Sequence, residues 1–274
     1  MNFTERFNQV LSQKKSLLCI GLDTVLERLP EPVRRMPEPL IAFNRIVVEA
    51  TADLAAAYKV NTAFYEALGA EGWRALEATF KLLPGDTIKI ADAKRGDIGN
   101  TSAMYARALF DILGADAVTV NPYLGRDGLE PFLRQENKGV FVLCLTSNPG
   151  ARDFQYANVD GAPLYERVAS AIHSWNEHRN CGLVAGATRA EQLERVRQLA
   201  GDMPLLIPGI GAQGGDLEKA VRFGLTRKGG GALFNSSRAI LYASSGSDYA
   251  DAIRGAAQET RDALNRARSR ADNP

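Results

Sequence analysis

The sequence predicts an α/β fold, a single closed (β/α)8 TIM barrel with flanking N- and C-terminal helices, covering residues 1–274 as one catalytic domain. Three observations predict it. Eight short apolar runs rich in β-branched residues recur along the chain, they are spaced by roughly 25 to 40 residues as βα units require, and helical patterns fill the intervals. Eight such alternations in about 250 residues fit a closed barrel better than an open doubly wound sheet.

The elements follow in order. Residues 4–13 read as an N-terminal helix, and 17–22 as the first strand, ending at Asp23. Lys14-Lys15 ahead of that strand faintly mimics a signal peptide, but the apolar stretch is short, stops at Asp23 and lacks a small-residue cleavage site. The proline-spaced segment 30–39 reads as an extended connection. Strands at 56–60 and 87–91 follow, then a helix over 101–113 and strands at 117–121 and 140–145. A helix over 164–178 leads to the sixth strand, 182–185. Thr188 and Glu191 form a capping-box pattern for a helix over 190–199. The seventh strand is 205–208, Asp216 opens a helix to 223, the eighth strand is 232–235, and a charged helix spans 249–268. No composition shift or Gly/Ser-rich linker divides the chain.

Composition narrows the function. With 45% hydrophobic and 24% charged residues the chain has an ordinary globular make-up, and 33 basic against 32 acidic residues remove the broad positive field of a nucleic-acid binder. Neither nucleic acid nor a membrane is expected as a partner, since no apolar run approaches a membrane span. Cys19, Cys144 and Cys181 lie far apart in apolar runs without paired spacing or nearby histidines. They read as buried thiols of a cytoplasmic protein rather than disulfide or zinc ligands. His173 and His178 are five apart, the wrong spacing for two ligands on one helical face, and read as ordinary helix residues. No metal site is expected.

Active sites of this fold lie at the C-terminal ends of the strands. Polar residues there are Asp23, then Lys59 and Asn61, Asp92 and Lys94, Asn121, Thr146-Ser147-Asn148, Gln213, and Ser236-Ser237-Arg238. The densest cluster is Asp92-Ala93-Lys94-Arg95-Gly96-Asp97. Strand alternation puts Asp92 and Lys94 on one face, whereas Asp97 lies beyond the Gly96 break, where alternation no longer aims it. A second signal is Gly209-Ile210-Gly211-Ala212-Gln213-Gly214, which matches the dinucleotide pattern GxGxxG by letter. The carboxylate expected about 20 residues on is replaced by Gly229-Gly230-Gly231, so the dinucleotide reading fails. In a barrel these glycines expose backbone N–H groups after the seventh strand, and Ser236-Ser237-Arg238 opens a helix after the eighth. That is the usual barrel phosphate site, with Arg238 and Gln213 as N–H donors to phosphate oxygens. Arg227-Lys228 reads as exposed loop charge.

These residues resemble the orotidine 5′-phosphate decarboxylase family, specifically its longer bacterial branch with the signature Asp92-Ala93-Lys94-Arg95-Gly96-Asp97-Ile98. Further matching segments are Gly21-Leu22-Asp23, residues 120–125, 145–150 and 208–216, and 235–240, so the resemblance runs through nearly the whole chain. It implies conversion of orotidine 5′-monophosphate to uridine 5′-monophosphate and CO₂ without cofactor, in a homodimer whose active sites are shared. It further implies that Lys94 protonates C6, Asp92 faces the departing carboxylate, and Asp97 reaches the partner's site. Lys59 would hold Asp92 and the ribose, Asp23 would take ribose hydroxyls, Ser147 the pyrimidine edge, and Gln213 with Arg238 the phosphate. Asn61 and Ser237 belong to the same substrate-binding set. Segment 147–161 and the loop around Gln213 are the expected lid. Thr24 follows Asp23 where the resemblance leads one to expect proline. Two other functions stay open on sequence alone: a sugar-phosphate aldolase or metal-dependent hexulose-phosphate enzyme, and a non-catalytic sensor of pyrimidine phosphates.

Overall fold

The computed structural model describes residues 1–187, 190–210 and 217–272. Eight parallel strands close into a barrel: β1 (Leu18–Gly21), β2 (Ala57–Asn61), β3 (Ile88–Arg95), β4 (Ala117–Val120), β5 (Gly139–Leu145), β6 (Cys181–Ala185), β7 (Leu205–Pro208) and β8 (Ala232–Ser236). Each strand pairs with its sequence neighbours, and β1 closes the ring against β8, with Cys19 opposite Asn235. Both faces of every strand are covered, so the runs are nearly continuously buried instead of alternating with polar residues.

The helices form the outer ring: α1 (Phe3–Lys14), α2 (Pro39–Thr51), α3 (Gly69–Leu82), α4 (Gly99–Arg107), α5 (Arg126–Leu133), α6 (Leu164–Trp175), α7 (Ala190–Ala200), α8 (Leu217–Gly224), the short α9 (Arg238–Leu241) and α10 (Tyr249–Asp272). The first of these starts with a reciprocal cap: Glu5 N donates to Asn2 Oδ1 at 3.0 Å and Asn2 N to Glu5 Oε2 at 3.2 Å. Its Phe3 and Phe7 are fully buried against Phe141 of β5, with ring centroids 6.0 and 6.2 Å from that ring, and close the N-terminal end of the barrel. Burying each ring is worth about 1.5–3 kcal/mol. At the other terminus α10 packs against α2 and α8, and Arg254 grips Asp53 through two bonds of 2.8 and 2.9 Å.

Three connections differ from the sequence expectation. Segment 30–39 is not extended: Glu31–Arg34 makes a helical turn and α2 begins at Pro39, because proline's fixed φ suits a first helical turn as well as an extended chain. The helix expected over 101–113 starts at Gly99 and widens into a π-turn over Ala108–Ile112. The helix expected to reach 178 stops at Trp175, where Asn176 leaves helical geometry and its Oδ1 accepts Cys181 N at 2.9 Å, so His178 sits in a turn. Thr188 and Asp216, the expected helix starts, lie outside the described residues. Among those residues, no helix is long and apolar enough to cross a membrane.

Candidate active site

A cavity of about 360 Å³ opens at the C-terminal ends of the barrel strands, where the fold leads one to look. Leu143, Val184, Leu206 and Ile210 give it an apolar wall, and Asp23, Lys59, Asn61, Asp92 and Lys94 a charged and polar one.

The charged wall is built around Asp92. Its Oδ2 accepts Lys59 Nζ at 2.8 Å, and its Oδ1 accepts Lys94 Nζ at 2.6 Å and Thr119 Oγ1 at 2.8 Å. Lys59 lies 3.6 Å from Asp23 Oδ1, so acid and amine alternate from Asp23 through Lys59 and Asp92 to Lys94. Burial opposes ionisation of Asp92, but the charges and hydrogen bonds of Lys59 and Lys94 outweigh it and hold the carboxyl well below the usual carboxylate range. Burial likewise opposes the charge on Lys59, and Asp92 followed by Asp23 overcome it, raising the ammonium above its ordinary value. Lys94 ends half-exposed at the cavity edge, while Asp92 and Lys59 are buried.

Asp92 and Lys94 do meet, as alternation predicts, but not along a regular strand. Between Ala91 and Arg95 the register against β4 shifts: four steps on β3 face two on β4, from Val118 to Val120. Lys94 itself has φ of 48°, a left-handed conformation that costs a non-glycine residue on the order of 1–3 kcal/mol. Thr119 fills the bulge, accepting Lys94 N at 3.0 Å on the same hydroxyl that donates to Asp92. Sequence reasoning missed Thr119: a lone threonine inside an apolar β-strand carries no signal that distinguishes it from a packing residue.

The opposite rim joins β7 and β8. Pro208, Gly209, Asn235, Ser236, Ser237 and Arg238 line it. Gly21 lets β1 approach: a Cβ there would fall 1.9 Å from Ser237 Oγ. Arg238 is exposed and has no carboxylate partner among the described residues. Gln213 lies outside the described residues. Arg227 and Lys228 form an exposed turn before β8, at the N-terminal end of the barrel and away from the cavity.

The remaining expected residues divide. Ser147 lines the cavity beside Thr146, which Gln155 brackets at 2.8 and 2.7 Å. Segment 147–161 carries a helical turn, Ala151–Phe154, and one strand of a small hairpin, Asn158–Val159 paired with Ala162–Pro163. Asn61 lines the cavity while its Oδ1 accepts Ala63 N at 3.2 Å. Asn121 does not line it; its side chain caps the turn Pro122–Leu124. Asp97 also lies off its own chain's cavity, with Oδ1 accepting Ile98 N at 2.8 Å. Asp23 Oδ1 is buried and accepts no hydrogen bond; among the described residues it is the one buried side-chain polar atom left so. Thr24, at the position where proline was expected, is buried and donates to Asn44 Oδ1 at 2.7 Å. The three thiols are buried, which pushes each of them up to about 12.

A parallel barrel with a lysine–aspartate array at its C-terminal mouth defines the class, a (β/α)8-barrel enzyme. Comparison with known proteins narrows this: a model of the orotidine 5′-phosphate decarboxylase / HUMPS family matches residues 16–253, and the chain belongs to that family. It is 52% identical over 271 residues to orotidine 5′-phosphate decarboxylase of Thermomicrobium roseum, covering 98% of this chain and 96% of the relative. The enzyme of the same name from Dehalococcoides mccartyi strain BAV1 is 49% identical over 276 residues, covering 98% and 100%. Among solved structures, OMP decarboxylase of Leishmania donovani superposes with a TM-score of 0.85 at 39% identity, covering 98% of this chain and 99% of that one.

Proposed function

We propose that this chain decarboxylates orotidine 5′-monophosphate to uridine 5′-monophosphate and CO₂, the closing step of de novo pyrimidine nucleotide synthesis. The observation that carries it is the array in which one buried carboxylate, Asp92, is bridged by two lysines beside an apolar wall. Loss of CO₂ from C6 leaves an sp² carbanion with no carbonyl placed to delocalise it, so stabilisation falls to fixed charge. Lys94, at the cavity edge, supplies that charge; at 4 Å and an effective dielectric near 20 a unit pair is worth roughly 4 kcal/mol. The same ammonium then delivers its proton to C6. Asp92 orients Lys94 and faces the departing carboxylate. Lys59 neutralises and fixes Asp92, and Thr119 locks the bulge that aims Lys94.

Asp23 takes the ribose hydroxyls. Its buried Oδ1 without a hydrogen bond supports this, since a hydroxyl donor there satisfies an acceptor that is otherwise costly to bury. Ser147 and Asn61 meet the pyrimidine and ribose edges, and Ser237, Arg238 and Gln213 hold the phosphate, a planar fork suiting a phosphoryl group. Binding energy from that remote group drives orientation at C6. No metal or organic cofactor takes part: the ammonium replaces it as the electrophile.

The working unit is a cytoplasmic homodimer, each chain one catalytic domain, with Asp97 completing the partner's array. Two observations support the dimer: Asp97 stands off its own cavity, and Ile98, Met104, Tyr123 and Leu124 are exposed on the adjoining elements. The test of the activity is loss of the orotate absorbance when the purified protein meets orotidine 5′-monophosphate after exhaustive chelation. Turnover that persists is the expected result; no turnover, or turnover only with added magnesium, contradicts it.

A further inference from the structure

Asp23 lies in a short stretch, residues 22–25, that is tied down on both sides of the carboxylate. Leu22 N donates to Lys59 O at 2.9 Å, and Leu22 O accepts the Tyr65 hydroxyl at 3.1 Å. On the far side Thr24 Oγ1 donates to Asn44 Oδ1 at 2.7 Å, and Val25 N to the Tyr242 hydroxyl at 2.8 Å. Asn44 is the hub. Fully buried, it accepts from Thr24 and donates through Nδ2 to Tyr65 at 2.8 Å and to Thr79 at 2.9 Å. Thr79 passes its own proton to Ala75 O at 2.7 Å. Every donor in the chain therefore has one direction, and none of Thr24, Asn44, Tyr65 or Thr79 lines the cavity.

The two outputs of this network are the residues on either side of Asp23, whose own Oδ1 is buried without a hydrogen bond. A free loop would relieve that acceptor by turning it to water, because an unsatisfied buried oxygen is costly. Anchoring Leu22 and Thr24 blocks the escape. We propose that Thr24, Asn44 and Tyr65 are positioning residues that hold the Asp23 carboxylate open towards a vicinal diol, the ribose of the substrate. The assignment rests on Asp23 as the ribose ligand.

A double-mutant cycle tests it, read as kcat/KM for orotidine 5′-monophosphate. Thr24→Val keeps the shape of the side chain and removes its proton; it is expected to lower kcat/KM about tenfold, the worth of one buried hydrogen bond. Thr24→Ser restores the hydroxyl and should stay within about twofold of wild type. In an Asp23→Ala background Thr24→Val should cost nothing further, since residues acting as one unit are not additive. Equal losses in both backgrounds would make Thr24 a general packing residue and overturn the proposal. Undiminished kcat/KM for Asp23→Ala alone overturns the ribose assignment beneath it, a distinct outcome. Should Thr24→Val not fold, Tyr65→Phe, which keeps the ring and removes the donor to Leu22 O, takes its place in the same cycle and is judged by the same two results.

Discussion

Along β1 to β3 the cavity wall holds Asp23, Lys59, Asp92 and Lys94, each within ion-pair distance of the next, whereas the wall at β8 presents Arg238 with no carboxylate partner among the described residues. The charges of the first wall are paired with one another within one chain, before any ligand arrives. Its charges are mutually compensated, and Asp92 accepts three hydrogen bonds, from two ammonium groups and a hydroxyl. The second wall is open, an exposed fork beside a serine pair. A preorganised charge array stabilises a transition state without reorganising during the reaction, while an unpaired cation gains most from binding a ground-state anion. Under the proposed function, rate belongs to one end of the cavity and affinity to the other.

The largest expected effect lies at the charge-paired wall. Lys94→Ala should lower kcat by about 10⁴-fold or more, combining loss of the proton donor with loss of fixed charge, and should leave binding of uridine 5′-monophosphate nearly intact. Single-turnover kinetics with a product-binding titration check this; kcat near wild type breaks the division. At the open wall Arg238→Ala should raise KM for the nucleotide by about 10- to 100-fold, the worth of a hydrogen bond to a charged group, and change handling of the phosphate-free nucleoside little. Equal losses for nucleotide and nucleoside would remove Arg238 from the phosphate.

A smaller effect concerns acid stability. An unfolded aspartate titrates at about 3.9 and the folded Asp92 carboxyl below it, so between the two the unfolded chain binds more protons and stability falls as the pH falls. The contribution is fully present above the unfolded value and is lost as pH drops through the folded one. Urea midpoints between pH 5 and 3 should therefore fall more steeply for the wild type than for Asp92→Asn, and parallel slopes would contradict the ion-pair account.

Why the two walls differed in legibility is physical. Strand runs such as 140–145 are legible because both faces are buried, which leaves unbroken apolar stretches between turn residues. Asp92, Lys94, Lys59 and Asp23 are legible because charges at the end of such runs have few packing uses. Thr119 was hidden because hydroxyl and methyl serve a strand equally well, and nothing in a lysine announces φ of 48° at Lys94 or the bulge around it. The network under Asp23 was hidden for another reason. Thr24, Asn44, Tyr65 and Thr79 are scattered over one loop and three helical segments, each unremarkable until the fold brings them together. Proline misled in segment 30–39, since its φ is shared by extended chain and first helical turn. At the other wall the sequence points to Ser237 and Arg238, which line the cavity; Gln213 lies outside the described residues.

The array is complete on the present account only when Asp97 enters from a second chain, and subunit mixing tests that most directly. Lys94→Ala and Asp97→Ala homodimers should each be nearly inactive. A mixed dimer then contains one doubly substituted site and one wholly native site, so random exchange of equal amounts should restore roughly a quarter of wild-type activity when the sites act independently. That recovery is the predicted result. Verified exchange with no recovery would put Asp97 in its own chain's site and contradict the shared array.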